Sequence, residues 1–172
     1  MVLPQKKFRE IVFQFLYSQD IGQSLPEDMI PLLMKELSVT KKAVREALER
    51  WHHIKAKLKE LDKVLAKIAV SYDFDRIQTV ERNILRLGAY EILYDETIPP
   101  KVAISESIRL ARKFGSPESA AFVNAILDGI LKTSQGIKPD TEKMEIAAQN
   151  LKQRVEIEVD LSLHPDHINN DD

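Results

Sequence analysis

No cysteine occurs anywhere in the chain. That excludes a disulfide, a thiolate zinc site and a cysteine nucleophile, and it is compatible with a reducing compartment. No run approaches the roughly 18 apolar residues that a membrane span requires. The opening MVLPQKKFRE lacks the apolar segment of a secretory signal, so the expectation is a cytoplasmic protein without a membrane partner. Glycine is scarce, with five residues, and these are expected at helix ends. There is no phosphate loop, no dinucleotide fingerprint and no HExxH. Histidine is sparse too. His52 and His53 are neighbours on an expected helix and point to different faces, while His164 and His167 flank Pro165-Asp166 in an acidic segment and form a weak ligand set. No metal, cofactor or catalysis is expected, and the function is sought in binding.

What is present fits one helical domain. The chain has 172 residues, 44% of them hydrophobic, enough for a single domain with a substantial core. The expected division is a helical domain over 1–135 and an extension over 136–172. Net charge is −2. Glu156, Glu158, Asp160, Asp166, Asp171 and Asp172 lie in a terminal stretch without Lys or Arg that contributes −6, which leaves +4 on the remainder. A mildly basic body with an acidic tail is therefore the better description.

The apolar spacing is helical from end to end. Phe8, Ile11, Val12 and Phe15 mark a first helix whose opening turn carries Lys6, Lys7 and Arg9. Cations are disfavoured at a helix N-terminus by its dipole, so the cluster is either a solvated chain end or a phosphate contact. A short helix over 27–37 turns Met29, Leu32, Leu33 and Leu37 inward. Thr40 then caps one long helix with a seam of Val44, Ala47, Trp51, Ile54, Leu58, Leu61, Leu65 and Ile68. Burial in its own bundle is preferred for this seam over pairing with a second copy. Lys55, Lys59, Lys63 and Lys67 form a ridge on the same helix, preferred as a solvated face over a phosphate track. The next helix is expected to bury Val80, Ile84, Leu87 and 89–93 while Glu81, Arg82 and Arg86 face outward. Helix five, over 101–114, is expected to bury Val102, Ile104, Ile108 and Ala111. A polar helix over 140–154 follows. VEIEVDLSL (155–163) alternates with period two like a strand, but a lone strand has no partner, so it is expected to be disordered or to order only on a partner.

Two joints in the middle are sharply punctuated. Pro99-Pro100 opens a helix that closes at Phe114-Gly115, where glycine suits a left-handed C-cap. Ser116-Pro117-Glu118 restarts the chain at once, with Ser116 as N-cap. Free N–H groups at this restart, phosphate-neutralising Lys6, Lys7 and Arg9, and a Phe122 able to stack on a base would together suit single-stranded RNA. Composition alone does not bring these segments together.

The stretch ERNILRLGAYEILYDETIPPKVAISESIRLARKFGSPESAAFVNAILDGIL resembles the C-terminal half of the NusB family of transcription antitermination factors, and KKFREIVFQFLY resembles that family's first helix. The resemblance implies an all-α fold of two packed three-helix bundles. It implies a heterodimer with the ribosomal protein NusE that binds boxA, a short single-stranded RNA element, and assists the elongating RNA polymerase complex in ribosomal RNA operons. By matching position it places RNA contacts on Lys6, Lys7, Arg9, Tyr17, Glu118, Ser119 and Phe122, and NusE contacts on Glu81, Arg82 and Arg86. Lysine here stands for much of the family's arginine, and Ala120 and Ala121 replace polar or basic residues. Both departures imply weaker RNA binding alone and greater reliance on NusE. The acidic tail is expected to compete internally for the site. The alternative is a non-RNA-binding helical module that homo-oligomerises through the 44–68 seam or the 155–163 segment.

Overall fold

The computed structural model describes residues 4–22, 25–70 and 72–164. They form eight α-helices, and no strand occurs among the described residues. The N-terminal bundle is α1 (Gln5–Asp20), α2 (Met29–Leu37) and α3 (Lys41–Ala56). The C-terminal bundle is α5 (Thr79–Tyr94), α6 (Pro100–Phe114) and α7 (Pro117–Ser134), with α4 (Leu58–Ile68) packed on α5 and α7. Helix α8 (Thr141–Leu163) lies along α7. The all-α expectation of two packed bundles holds.

The caps follow their chemistry. Thr40 Oγ1 accepts the Ala43 N–H at 3.1 Å at the start of α3, and Pro100 opens α6 where its missing N–H costs nothing. The expected long helix over 40–68 is instead two helices that meet at Lys57, whose φ of −106° and ψ of 4° leave the helical region. The break lets one seam serve two cores. Val44, Ala47, Trp51 and Ile54 pack towards α1, whereas Leu61 and Leu65 pack towards α5 and α7. Those six residues are used inside the molecule, while Leu58 and Ile68 at the ends of α4 are half-buried. In α2, Ile30 turns inward where Leu32 was expected, and Leu32 is exposed. In α6 the inward residues are Ala103, Ser107 and Leu110 beside Ile104 and Ala111, and Val102 is on the surface.

Gly88 and Gly129 lie inside helices rather than at their ends. At Gly88 the reason is close approach: a Cβ there would meet Ser107 Oγ at 2.5 Å and Leu127 Cδ1 at 2.6 Å, so its absence lets α5 sit tightly against α6 and α7. Gly88→Ala is expected to destabilise the fold by about 1–2 kcal/mol, overpacking outweighing alanine's helix preference of about 1 kcal/mol. Chemical denaturation measures it, and an equal or more stable variant would show that the contact relaxes freely. Gly115 does not adopt the expected left-handed cap. Its φ is −120°, and its smallness serves instead to avoid Ser119 Oγ and the Ala111 carbonyl, which a Cβ would meet at 2.8 and 2.9 Å.

The segment 155–163 is the last part of α8, not a strand and not disordered. With no neighbouring strand to accept its backbone groups, it satisfies them within the helix begun by the residues before it. The period-two pattern then scatters its apolar side chains around the helix, and Ile157, Val159, Leu161 and Leu163 are all exposed. His167 and the acidic residues Asp166, Asp171 and Asp172 lie outside the described residues.

Candidate functional site

The start of α7 is built by three elements. Ser116 accepts the Ser119 N–H at 3.1 Å, and the Ser119 hydroxyl donates to Glu81 Oε1 at the start of α5. Glu81 is buried, and its Oε2 has no hydrogen-bond partner among the described residues. Glu118 is half-exposed and accepts from Arg154 Nη1 of α8 at 3.1 Å. Its own backbone N–H is the main cause that holds its carboxyl below the ordinary value of 4.5, and Arg154 adds to the effect. A cavity of about 200 Å³ lies here, with Gln78, Glu81, Ser116 and Ser119 on one side and Arg154 and Glu158 on the other.

Tyr17 is connected to this end of α7 only through a second ring. Its ring is 6.0 Å from Phe13, which lies 4.8 Å from Phe114, two residues before the α7 cap. Phe122 does not offer its ring to solvent. It is fully buried and packs at 5.4 Å on Tyr72, so it anchors α7 from below and is not available for stacking on a base. The sequence shows an aromatic one turn inside the helix, and only packing decides which way it points.

The expected basic cluster on α1 is dispersed by the helical turn of about 100° per residue. Lys6 and Lys7 are exposed, but Lys7 Nζ reaches the Leu37 carbonyl of α2 at 3.3 Å, whereas Lys6 lines an open groove with Arg9, Arg50 and Asp95. Arg9 points inward: it is 5% exposed and donates through Nε to Glu91 of α5 at 2.8 Å. Its charge is engaged inside the fold. Lys6 stands about 16 Å along α1 from Tyr17 at 1.5 Å per residue. The gap is partly filled by cations in the last turns of α6. Arg109 and Lys113 both reach Glu10 of α1, at 2.8 and 3.0 Å, and Arg112 is exposed. Their crowding in one turn was the signal.

Glu81, Arg82 and Arg86 do not face outward. Helix α5 is the C-terminal-bundle helix that faces α1 and α3, and it has almost no solvent side, so its charges find partners inside. Arg82 Nη2 donates to Asp20 at the end of α1 at 2.7 Å, and Arg86 donates to Asp62 of α4 at 2.8 Å through both Nε and Nη2. Arg50 of α3 pairs with Asp95 just after α5 at 2.8 Å. Ion pairs therefore join the two bundles along the whole of α5.

These pairs set an acid limit. Burial pushes the Asp20 carboxyl up, but hydrogen bonds from Arg82 and Asn83 and the charge of Arg86 outweigh it and hold it below 3.8. Glu10 is likewise held below 4.5, burial being outweighed by Arg109 and Lys113. A carboxyl lowered in the folded state stabilises above its unfolded value, and that stability is lost as pH falls through the folded one. The melting temperature is expected to drop below about pH 4, and Asp20→Asn should lower it at neutral pH while flattening that acid limb. An unaltered acid limb in the variant would remove Asp20 as its cause.

A model of the NusB family matches residues 6–132 of this chain. The chain belongs to the NusB family. It is 38% identical over 131 residues to the transcription antitermination protein NusB of Chlamydia pneumoniae, a match that covers 76% of this chain and 82% of that one. To the NusB of Methylacidiphilum infernorum it is 37% identical over 134 residues, covering 77% and 94%. Among solved structures it resembles T. maritima NusB at 31% identity with a TM-score of 0.66, covering 84% of this chain and 99% of that one. It also resembles a chain in the complex of antitermination factors NusB and NusE with double-stranded RNA, at 26% identity with a TM-score of 0.65, covering 75% and 96%. The family match ends at residue 132, so α8 and the Arg154 contact to Glu118 lie outside it.

Proposed function

We propose that this protein is a non-catalytic, cytoplasmic transcription antitermination factor that binds boxA-type RNA together with a NusE-type ribosomal protein and supports the elongating RNA polymerase complex in ribosomal RNA operons. The observation that carries it is the family match over 6–132, on a fold shared with a NusB chain in a NusB–NusE–RNA complex. Residues 1–135 act as the family unit and 136–172 as an addition to it. RNA follows the face that runs from Lys6 and Lys7, past Arg109, Arg112 and Lys113, to Tyr17 and Glu118, with the buried Ser119 behind them. Arg9 and Phe122 support this face from inside. The NusE-type partner is assigned to the face at the start of α5, where Arg82 keeps a partly exposed edge and Glu81 and Arg86 hold the helix in place.

The test is fluorescence anisotropy of a labelled boxA-type RNA with and without the NusE-type partner over a range of salt. Affinity should rise with the partner and fall with salt. Lys6→Glu combined with Lys7→Glu should lower the magnitude of the log–log salt slope by about 0.7 for each phosphate contact removed. Absence of binding under every condition would sink the reading.

A further inference from the structure

Helix α8 begins beyond residue 132, where the match to the family model ends, and it is firmly seated on α7. Met144, Ala147, Ala148 and Leu151 are all buried, and a Cβ on Gly129 of α7 would come within 3.2 Å of Met144 Sδ. One turn beyond this anchor the helix reaches the first turn of α7. There Arg154 donates to Glu118 at 3.1 Å and to Glu158 at 3.0 Å, and Leu151, Arg154, Val155 and Glu158 form one wall of the cavity at Ser116 and Ser119. Lys152 lies with its ammonium 4.9 Å from the centre of the Tyr72 ring that supports Phe122. The acidic residues 166–172, expected to compete for the site, lie outside the described residues; the contact that the structure shows is made by α8 itself.

We propose that the outer part of α8, from Arg154 to Leu163, is a latch that covers the α7 end of the RNA surface and must swing away for RNA to bind there. This rests on the RNA-binding reading above and adds its regulation. Two observations carry it. The first is what the latch places over a helix N-terminus that would otherwise favour phosphate: Glu158 lines the cavity there, and Arg154 is engaged by carboxylates on both sides. The second is how unevenly α8 is held. Everything up to Leu151 is anchored by buried side chains, Val155 is half-buried, and every side chain beyond it is exposed. An ion pair as exposed as that of Arg154 with Glu118 contributes little by itself. The outer turns are therefore cheap to displace, while the inner anchor keeps them close and so at high effective concentration.

The same contact has an opposite interpretation, in which Arg154 supplies a cation that Ala120 and Ala121 do not. The two differ in sign. In the full chain, Gln153→Pro should break α8 at an exposed position, because proline loses the bond to residue 149 and clashes with its carbonyl. The anchor up to Leu151 stays in place, so the melting temperature should barely change. A latch predicts that Gln153→Pro and Arg154→Glu each tighten binding of boxA-type RNA by about tenfold relative to wild type and Gln153→Ala, the gain expected when about one molecule in ten is open. Amides of 155–163 should also exchange faster when RNA is added to the wild type. If the wild type binds RNA and neither variant tightens it, the latch is overturned and the RNA reading stands; weakening by Arg154→Glu would make Arg154 an RNA contact. If neither wild type nor variants bind RNA, with or without the NusE-type partner, the RNA reading falls and the latch with it.

Discussion

Arg9→Ala should cost this protein about 3–5 kcal/mol of stability, the range for removing one partner of a buried ion pair. Arg9 is 5% exposed, Glu91 is 3% exposed, and the two are bonded through Arg9 Nε at 2.8 Å. Burial is the largest influence on Glu91 and pushes its carboxyl above 4.5, although the hydrogen bond and charge of Arg9 pull the other way. Without Arg9 that carboxylate is left in the core with only the more distant Arg50 to offset it. For a chain of this length, the loss lowers the melting temperature by on the order of 10 °C. The double replacement Arg9→Met with Glu91→Leu should recover most of the loss, because it removes the desolvated charges together with their attraction. Thermal melts of the single and double variants decide it. If Arg9→Ala melted like the wild type and lost only RNA affinity, Arg9 would be a surface contact after all.

Phe122→Ala is expected to cost a similar 3–5 kcal/mol, for a different reason. A fully buried ring that packs on Tyr72 is replaced by a methyl group, and the cavity sits under the first turns of α7. RNA affinity would fall as well, but through loss of the site's support. Phe122→Leu separates the two causes. It keeps most of the apolar volume and no aromatic face, so it should retain both fold and RNA affinity. A stable Phe122→Leu protein with affinity reduced tenfold or more would mean that the ring reaches RNA.

These two residues show where sequence reasoning loses its hold. Arg9 stands two positions from the exposed Lys7 and Phe122 four positions from the half-exposed Glu118, and nothing local distinguishes these from the buried ones. The outcome depends on Glu91, some 80 residues further along the chain, and on Tyr72, in a different element. Arg82 and Arg86 teach the same lesson. Their polar stripe reads as a solvent face, but α5 is enclosed by both bundles and its stripe meets Asp20 and Asp62. Outwardness is a property of a helix's neighbours and not of its pattern.

What was legible without coordinates is what short-range chemistry controls. Helical periodicity, the prolines that open α6 and α7, the hydroxyl caps at Thr40 and Ser116 and the family motifs over 6–132 all act within a turn or two of the backbone, or by direct likeness. The lack of cysteine closed off disulfides and thiolate metal sites at once. The tertiary structure alone decided the break at Lys57, the helical state of 155–163, the inward turn of Arg9, Arg86 and Phe122, and the seat of α8 across the start of α7. Each of these depends on which distant side chain fills the space opposite. A sequence specifies that pairing only through the packing of the whole chain.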